Sequence, residues 1–188
     1  GLSHFLHTIR GNHDLTYIVH DNAVYGLTKG QTAPTSPEGF KSPSTPAGVH
    51  EQPINGVALA LTAGATFVAR GFAAEGDHLT DLMIKAMDHR GFALLDVYQP
   101  CVTFNHLNTY EWFRQRVYKL GERKHDPTNR EQALLTALES GDELPIGIFY
   151  QKEDRPAYHE QENALAAGTL VDAPLDSASI TELTEEYF

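Results

Sequence analysis

The stretch Asp21-Asn22-Ala23-Val24-Tyr25-Gly26-Leu27-Thr28-Lys29-Gly30-Gln31 holds the residue types best suited to chemistry. It follows Leu15-Thr16-Tyr17-Ile18-Val19, an apolar run that reads as a buried strand ending in a polar loop. Open α/β sheets bind ligands just beyond the carboxyl ends of their strands. Asp21 and Asn22 at such an end offer hard oxygen ligands, which suit Mg²⁺ and its bridges to phosphates. Gly26 and Gly30 let the backbone approach a ligand closely. An Asn after a strand is also a common turn residue, so the loop alone leaves both roles open.

Other candidates are weaker. Cys101 sits in Gln99-Pro100-Cys101-Val102-Thr103-Phe104-Asn105, and a lone cysteine is usually a small buried apolar residue. His4 and His7 share a helix face at i, i+3, but no third or fourth ligand has zinc-site spacing. Arg70 ends a β-rich run, where a salt bridge is expected ahead of an anion or partner site. Tyr110, Trp112 and Phe113 read as core residues or as contacts between subunits rather than a ligand cage.

The elements around these residues follow from periodicity. Residues 2–10 predict a helix with Leu2, Phe5, Leu6 and Ile9 on one face. Gly11-Asn12 stops it, and residues 15–20 form a strand. Half of the ten prolines fall in 32–56, a long loop of the kind that usually carries function. Helical spacing returns at 54–64, with Gly64 as the C-cap. Thr66–Arg70 is a short strand. Asp77 to about His89 is a helix with Leu79, Leu82, Met83 and Ala86 inward. Phe92–Tyr98 is apolar throughout, as in a buried parallel strand. This order implies a parallel sheet with helices on both faces. Aromatics at helical spacing mark Thr109–Leu120, an amphipathic helix spans Asn129–Glu139, and Ile146–Tyr150 is a short strand. Residues 151–188 read as an extended arm.

The 188 residues suit one domain, and 41% hydrophobic content supplies a normal core. A net charge of −11 without a basic cluster argues against nucleic acid or an anionic membrane surface as partner. No apolar run approaches the roughly 20 residues that span a bilayer. The first residues lack the pattern of a secretory leader. A single cysteine fits a reducing cytoplasm.

The loop does not stand alone. Ser3-His4-Phe5-Leu6-His7 with Arg10, Asp21–Gln31, Pro34-Thr35-Ser36-Pro37, Gln52-Pro53-Ile54-Asn55, Gly64–Gly71 and Gln99–Asn105 form an ordered series. From Gly1 to about Asn105, and more weakly near Leu144–Tyr150, it resembles the thiamine-diphosphate (ThDP) β subunit of 2-oxoacid:ferredoxin oxidoreductases. The resemblance implies a three-layer α/β ThDP-binding fold, N-terminally truncated, with a mostly parallel sheet flanked by helices. Residues 1–120 would be the C-terminal part of the ThDP domain. Residues 121–188 would add a helix, a short strand and an arm for contact between subunits.

For the site, the resemblance puts the Asn22 side-chain oxygen and the Val24 carbonyl on Mg²⁺, with Asp21 orienting the loop. Gly26, Leu27 and Thr28 would lie beside the diphosphate, and Thr28 could donate to it. Lys29 would meet the substrate and His7 would line the active site. Cys101 would be the fourth ligand of a [4Fe-4S] cluster. The implied reaction is oxidative decarboxylation of a 2-oxoacid to an acyl-coenzyme A, with electrons passing to ferredoxin. Relatives that prefer pyruvate tend to have Gly where Lys29 stands, so 2-oxoglutarate or a broad range is expected. An α subunit would supply the Glu that protonates the cofactor's aminopyrimidine, and the chain would work in a dimer or higher assembly.

One departure matters. ThDP motifs open with Gly-Asp-Gly well upstream of the Asn, and none lies among the 21 residues before Asn22. The expectation is therefore a C-terminal fragment that holds Mg²⁺ and ThDP poorly by itself and exposes an apolar sheet edge prone to self-association. Two other readings stay open. One is a non-oxidative ThDP decarboxylase or carboligase, which would not need Cys101. The other is a catalytically incomplete assembly fragment.

Overall fold

The computed structural model describes residues 1–139, 141–165, 168–169, 171–172 and 184–185. Its centre is a five-stranded sheet. β1 (Leu15–Asp21) and β4 (Phe67–Phe72) both pair in parallel with β5 (Phe92–Tyr98). β7 (Leu144–Gln151) pairs antiparallel with β4, and β6 (Val117–Lys119) runs parallel to β7. The order β1-β5-β4-β7-β6 leaves β1 at one edge. A two-stranded hairpin, β2 (Val24–Tyr25) with β3 (Gln31–Thr32), stands beyond the carboxyl end of β1.

The continuous apolar runs explain the centre. β4 is buried along its whole length and β5 up to Val97, as strands covered on both faces must be. One face packs against α1 (Leu2–Gly11), α2 (Gly56–Ala63) and α5 (Arg130–Leu138). Phe5, Ile9, Val57, Leu61, Ala133 and Ala137 there meet Val68, Leu94 and Phe92. The other face takes α3 (Gly76–Asp88), whose Leu82 and Ala86 meet Ala69, Ala93 and Leu95. Burying each of Phe67, Phe72, Phe92 and Phe149 contributes about 1.5–3 kcal/mol. The three-layer arrangement expected from the sequence is what forms.

Local signals set the helix ends. Asn55 caps α2 by accepting from the Ala58 amide, and Gly64 closes it at φ 95°. Asn129 caps α5 in the same way through the Gln132 amide. α1 ends at Asn12, a left-handed residue at φ 53°.

Several expectations need correcting. Helical spacing over Thr109–Leu120 yields only a short α4 (Tyr110–Arg114). Val117 then turns into β6, because pairing with Leu144 gives this β-branched residue a strand partner. The strand expected at Ile146–Tyr150 is longer, Leu144–Gln151, and reverses the sheet direction. On α1, Phe5 and Ile9 are buried but Leu2 and Leu6 face outward. The first part of the expected arm, Lys152–Gln161, packs back on the fold through bonds to Thr66 and Asn12. Most of the rest lies outside the described residues. Among the described residues no helix is long and apolar enough to cross a membrane.

Candidate functional site

The loop after β1 is built by hydrogen bonds that local sequence does not reveal. Asp21 Oδ1 accepts from the Thr35 hydroxyl at 2.6 Å and the Ala23 amide at 3.2 Å. Asn22 Oδ1 accepts from the Val24 amide at 3.2 Å. These two turns force Ala23 to φ 54°. The buried Ser36 hydroxyl donates to the Ala23 carbonyl at 2.7 Å and accepts from the Ala33 amide at 2.8 Å. The Thr35-Ser36 pair of the proline-rich loop thus braces the Asp-Asn turn.

A second loop braces it from the other side. Asn105 is 1% exposed. Its Nδ2 donates to the Asn22 carbonyl at 3.3 Å, while its Oδ1 accepts from the Leu107 and Asn108 amides. Cys101, half-buried, and Phe104 pack on the buried Val24, Phe40 and Val49. A Cβ on Gly26 would lie 4.0 Å from Cys101 Sγ, and one on Gly30 would strike the Phe104 ring at 3.0 Å. Gly30, at φ 89°, is the position where glycine lets the two loops close on each other, whereas Gly26 is in ordinary contact range.

The tip of the hairpin is open. Leu27 is fully exposed, and Thr28 and Lys29 are exposed beside it. The Lys29 and Gly30 amides turn back to the Gly26 and Tyr25 carbonyls. Among the described residues, the Leu27 and Thr28 amides and the Lys29 ammonium take no partner within the chain. Lys29 adopts φ 67°, a left-handed conformation that costs a side-chain-bearing residue about 1–2 kcal/mol.

Behind the loop lies a cavity of ≈ 300 Å³ at the carboxyl end of the sheet, with Asp21, Asn22, Arg70, Tyr98, Trp112 and Thr136 among its walls. A buried charge cluster lies at its base. Arg70 Nε donates to Asp96 Oδ2 at 2.8 Å, and the guanidinium lies 4.8 Å from the Tyr98 ring centre. Register explains the cluster: Arg70 opposes Asp96, and Asp21 opposes Tyr98 on the next strand. Burial works against the Arg70 charge, yet Tyr98, Asp96 and Asp21 hold its pKa above the ordinary value. Burial pushes the Tyr98 phenol up to about 12, with Arg70 opposing. Burial, and then Asp96, push the Asp21 carboxyl above its usual range, against Thr35, Ala23 and Arg70.

The structure therefore gathers most of the residues singled out from sequence. Asp21, Asn22, Val24, Gly26 and Cys101 form one packed unit, and Leu27, Thr28 and Lys29 crown it. His7 does not join them. It is exposed on the half of α1 nearest the amino end of β1, the end opposite the loop. His4 is exposed too, and no group of three or more His, Cys, Asp or Glu among the described residues could hold a metal. The salt bridge expected of Arg70 is present. Reasoning from sequence missed the roles of Thr35, Ser36 and Asn105. Their segments stood out, but their partners lie 13 to 83 residues away.

The donor set fits a divalent cation with a diphosphate. The Asn22 amide oxygen, the Val24 carbonyl and the Asp21 carboxylate are hard oxygens suited to Mg²⁺. Free amides at Leu27 and Thr28, with a hydroxyl and an ammonium beside them, are donors suited to phosphate oxygens.

The chain is similar to known proteins along most of its length. Residues 1–97 match the family described as thiamine pyrophosphate enzyme, C-terminal TPP binding domain. Residues 101–167 match the family of the C terminal of the pyruvate ferredoxin oxidoreductase beta subunit. The chain is 45% identical over 171 residues to a 2-oxoacid:ferredoxin oxidoreductase subunit beta of Sulfolobus sp, covering 86% of this chain and 56% of that one. It is 45% identical over 184 residues to the subunit of that name from Saccharolobus solfataricus, covering 93% and 60%. Among solved structures it resembles the 2-oxoglutarate:ferredoxin oxidoreductase from Magnetococcus marinus, which holds 2-oxoglutarate, coenzyme A and succinyl-CoA. That match has a TM-score of 0.86 and 30% identity over 98% of this chain and 62% of the other. The chain thus spans 56% to 62% of the length of these proteins.

Proposed function

The chain belongs to the thiamine pyrophosphate enzymes, and on that premise we propose that it forms the β-subunit portion of a 2-oxoacid:ferredoxin oxidoreductase. One observation carries the reading. The oxygen-rich Asp21-Asn22 turn, the exposed Leu27–Lys29 tip and the Cys101 loop are packed into one unit at the carboxyl end of the sheet.

In this reading Asn22 and Val24 hold Mg²⁺, and Asp21 orients the turn through Thr35 and Ala23. Gly26, Leu27 and Thr28 receive the diphosphate, with Thr28 donating a hydrogen bond. When bound, ThDP supplies the carbanion stabilisation that decarboxylation requires. Lys29 offers an ammonium to a second carboxylate of the substrate, which favours 2-oxoglutarate or a broad range over pyruvate. A residue held left-handed, with an ammonium that takes no partner among the described residues, is the kind of strain that function retains. Asn105 acts as a positioning residue that fixes the Asn22 carbonyl. Cys101 contributes one of the four thiolates that a [4Fe-4S] cluster takes, so the cluster needs ligands beyond this chain's single cysteine. An α subunit, ferredoxin and coenzyme A are the partners of this activity, in the cytoplasm. The edge strand β1 and the segment from 121 onward are proposed as the surfaces that meet other subunits in a dimer or higher assembly.

The test is calorimetric titration of ThDP and Mg²⁺ into this chain carried within a subunit of the full length its relatives have. Asn22→Ala is expected to weaken binding about 100-fold or more, since even residues behind a metal's ligands cost 10–100-fold. Equal binding by both proteins would overturn the assignment.

A further inference from the structure

At the amino end of the sheet, opposite the site, residues 152–161 form a strap across the fold. The Lys152 amide donates to the Thr66 carbonyl at 2.9 Å and the Tyr158 amide to the Asn12 carbonyl at 3.1 Å. Asn12 Nδ2 donates to the carbonyls of Arg155 and Pro156. The Tyr158 ring stacks on His13 at 4.5 Å. Beneath the strap lies His89, the residue that ends α3, with its side chain fully buried.

The hydrogen-bond chain fixes the His89 tautomer. Asn12 Oδ1 accepts from the Phe92 amide at 3.0 Å, so that atom is the oxygen. The Thr66 hydroxyl lies 2.9 Å from Asn12 Oδ1 and 3.2 Å from the Phe92 carbonyl, and only its single proton can bridge to either. Thr66 therefore has no proton for His89 Nε2 at 2.9 Å, and Nε2–H must donate to it. Nδ1 is left as a bare lone pair, buried and without a partner.

The titratable groups facing His89 are Glu153 of the strap, with Oε1 3.8 Å from Nδ1, and Asp14 of the turn before β1. Glu153 is 57% exposed on its side chain, so water screens it. Thr66, Asn12 and the Phe67 ring at 5.4 Å carry no charge. Nearby cations are engaged elsewhere: Arg90 with Glu160, Lys152 with Asp154, and Arg155 with the Gly64 and Arg10 carbonyls.

We propose that the strap is acid-released: a proton taken up at His89 Nδ1 opens residues 152–161 from the end of the sheet. A proton on Nδ1 places a buried charge whose facing carboxylate oxygen, Glu153 Oε1 at 3.8 Å, is beyond hydrogen-bond reach, and lifting the strap lets water solvate it. The direction of titration agrees. Burial lowers the folded His89 pKa, while Glu153 and Asp14 only partly oppose. A histidine depressed in the closed state favours the open state once pH falls below its ordinary value.

The test is hydrogen exchange at the Lys152 and Tyr158 amides, corrected for intrinsic rates, at pH 7.5 and 5.5. One unit below the ordinary histidine value of about 6.5, opening is expected to rise by up to about tenfold. His89→Gln keeps a donor for Thr66 and cannot titrate, so its acid response should shrink to what His13, stacked on Tyr158, contributes. Glu153→Gln should make the acid response equal or larger. Imidazole nitrogen NMR of the unchanged protein at pH 7.5 should show Nδ1 unprotonated. A proton on Nδ1 at that pH, or an undiminished acid response in His89→Gln, would overturn the proposal. The nitrogen spectrum and Glu153→Gln decide it even if His89→Gln does not fold.

Discussion

Arg70→Met should lower the free energy of unfolding by about 3–5 kcal/mol, the usual cost of leaving a buried charge without its partner. Asp96 is 4% exposed, and among the described residues its carboxylate is paired with Arg70 alone. Asp21 and Tyr98 depend on the same guanidinium, since its charge opposes the upward push on both. The loss should appear as a lower urea midpoint with an unchanged slope. The double variant Arg70→Met/Asp96→Leu removes both charges and should recover most of the lost stability. A double variant as unstable as the single one would show that the guanidinium is required for more than pairing with Asp96. Arg70→Lys should be an incomplete rescue, because a point charge cannot reproduce the planar group between carboxylate and ring.

The same cluster shows what the sequence can convey and what it cannot. A salt bridge is the expected role of Arg70, because a cation ending an apolar strand has few alternatives. Its partner is not legible, because choosing Asp96 requires knowing that β4 and β5 pair in a register that sets 70 opposite 96. Elements with strong periodicity are legible: α3 with its inward Leu82 and Ala86, and β5 with its unbroken apolar run. β6 is not, because Val117 lies at a helical interval from Phe113, and only the tertiary partner Leu144 decides for strand. In the site, the chemistry of Asp21 and Asn22 is legible from residue type and place. The bracing by Thr35, Ser36 and Asn105 is not, since those bonds join separate loops. His7 stands in a family-like series, while the fold leaves it exposed on α1 and outside the packed unit of the loop.

Asn12 reads in sequence only as a helix stop, yet the fold makes it a hub. It is fully buried and joins α1, β4, β5 and the strap through its side chain. Asn12→Ala should cost about 2–5 kcal/mol, and the causes can be separated. The Phe92 amide loses its acceptor in a buried place, which costs about 1–3 kcal/mol. The left-handed backbone at φ 53° costs alanine about 1–2 kcal/mol more than a residue that tolerates it. The strap carbonyls lose less: Pro156 is exposed and Arg155 half-exposed, so water replaces Nδ2. Thr66 can turn its proton to the Phe92 carbonyl at 3.2 Å. Asn12→Gly removes the backbone cost alone and should recover about 1 kcal/mol relative to Asn12→Ala, leaving the orphaned amide as the remainder. Urea unfolding of the two variants beside the unchanged protein measures both parts. An Asn12→Gly protein as stable as the original would mean that the side-chain hub contributes nothing. The burial of Phe92, at the start of the strand that carries Asp96 and Tyr98 to the cavity, argues that it contributes most of the loss.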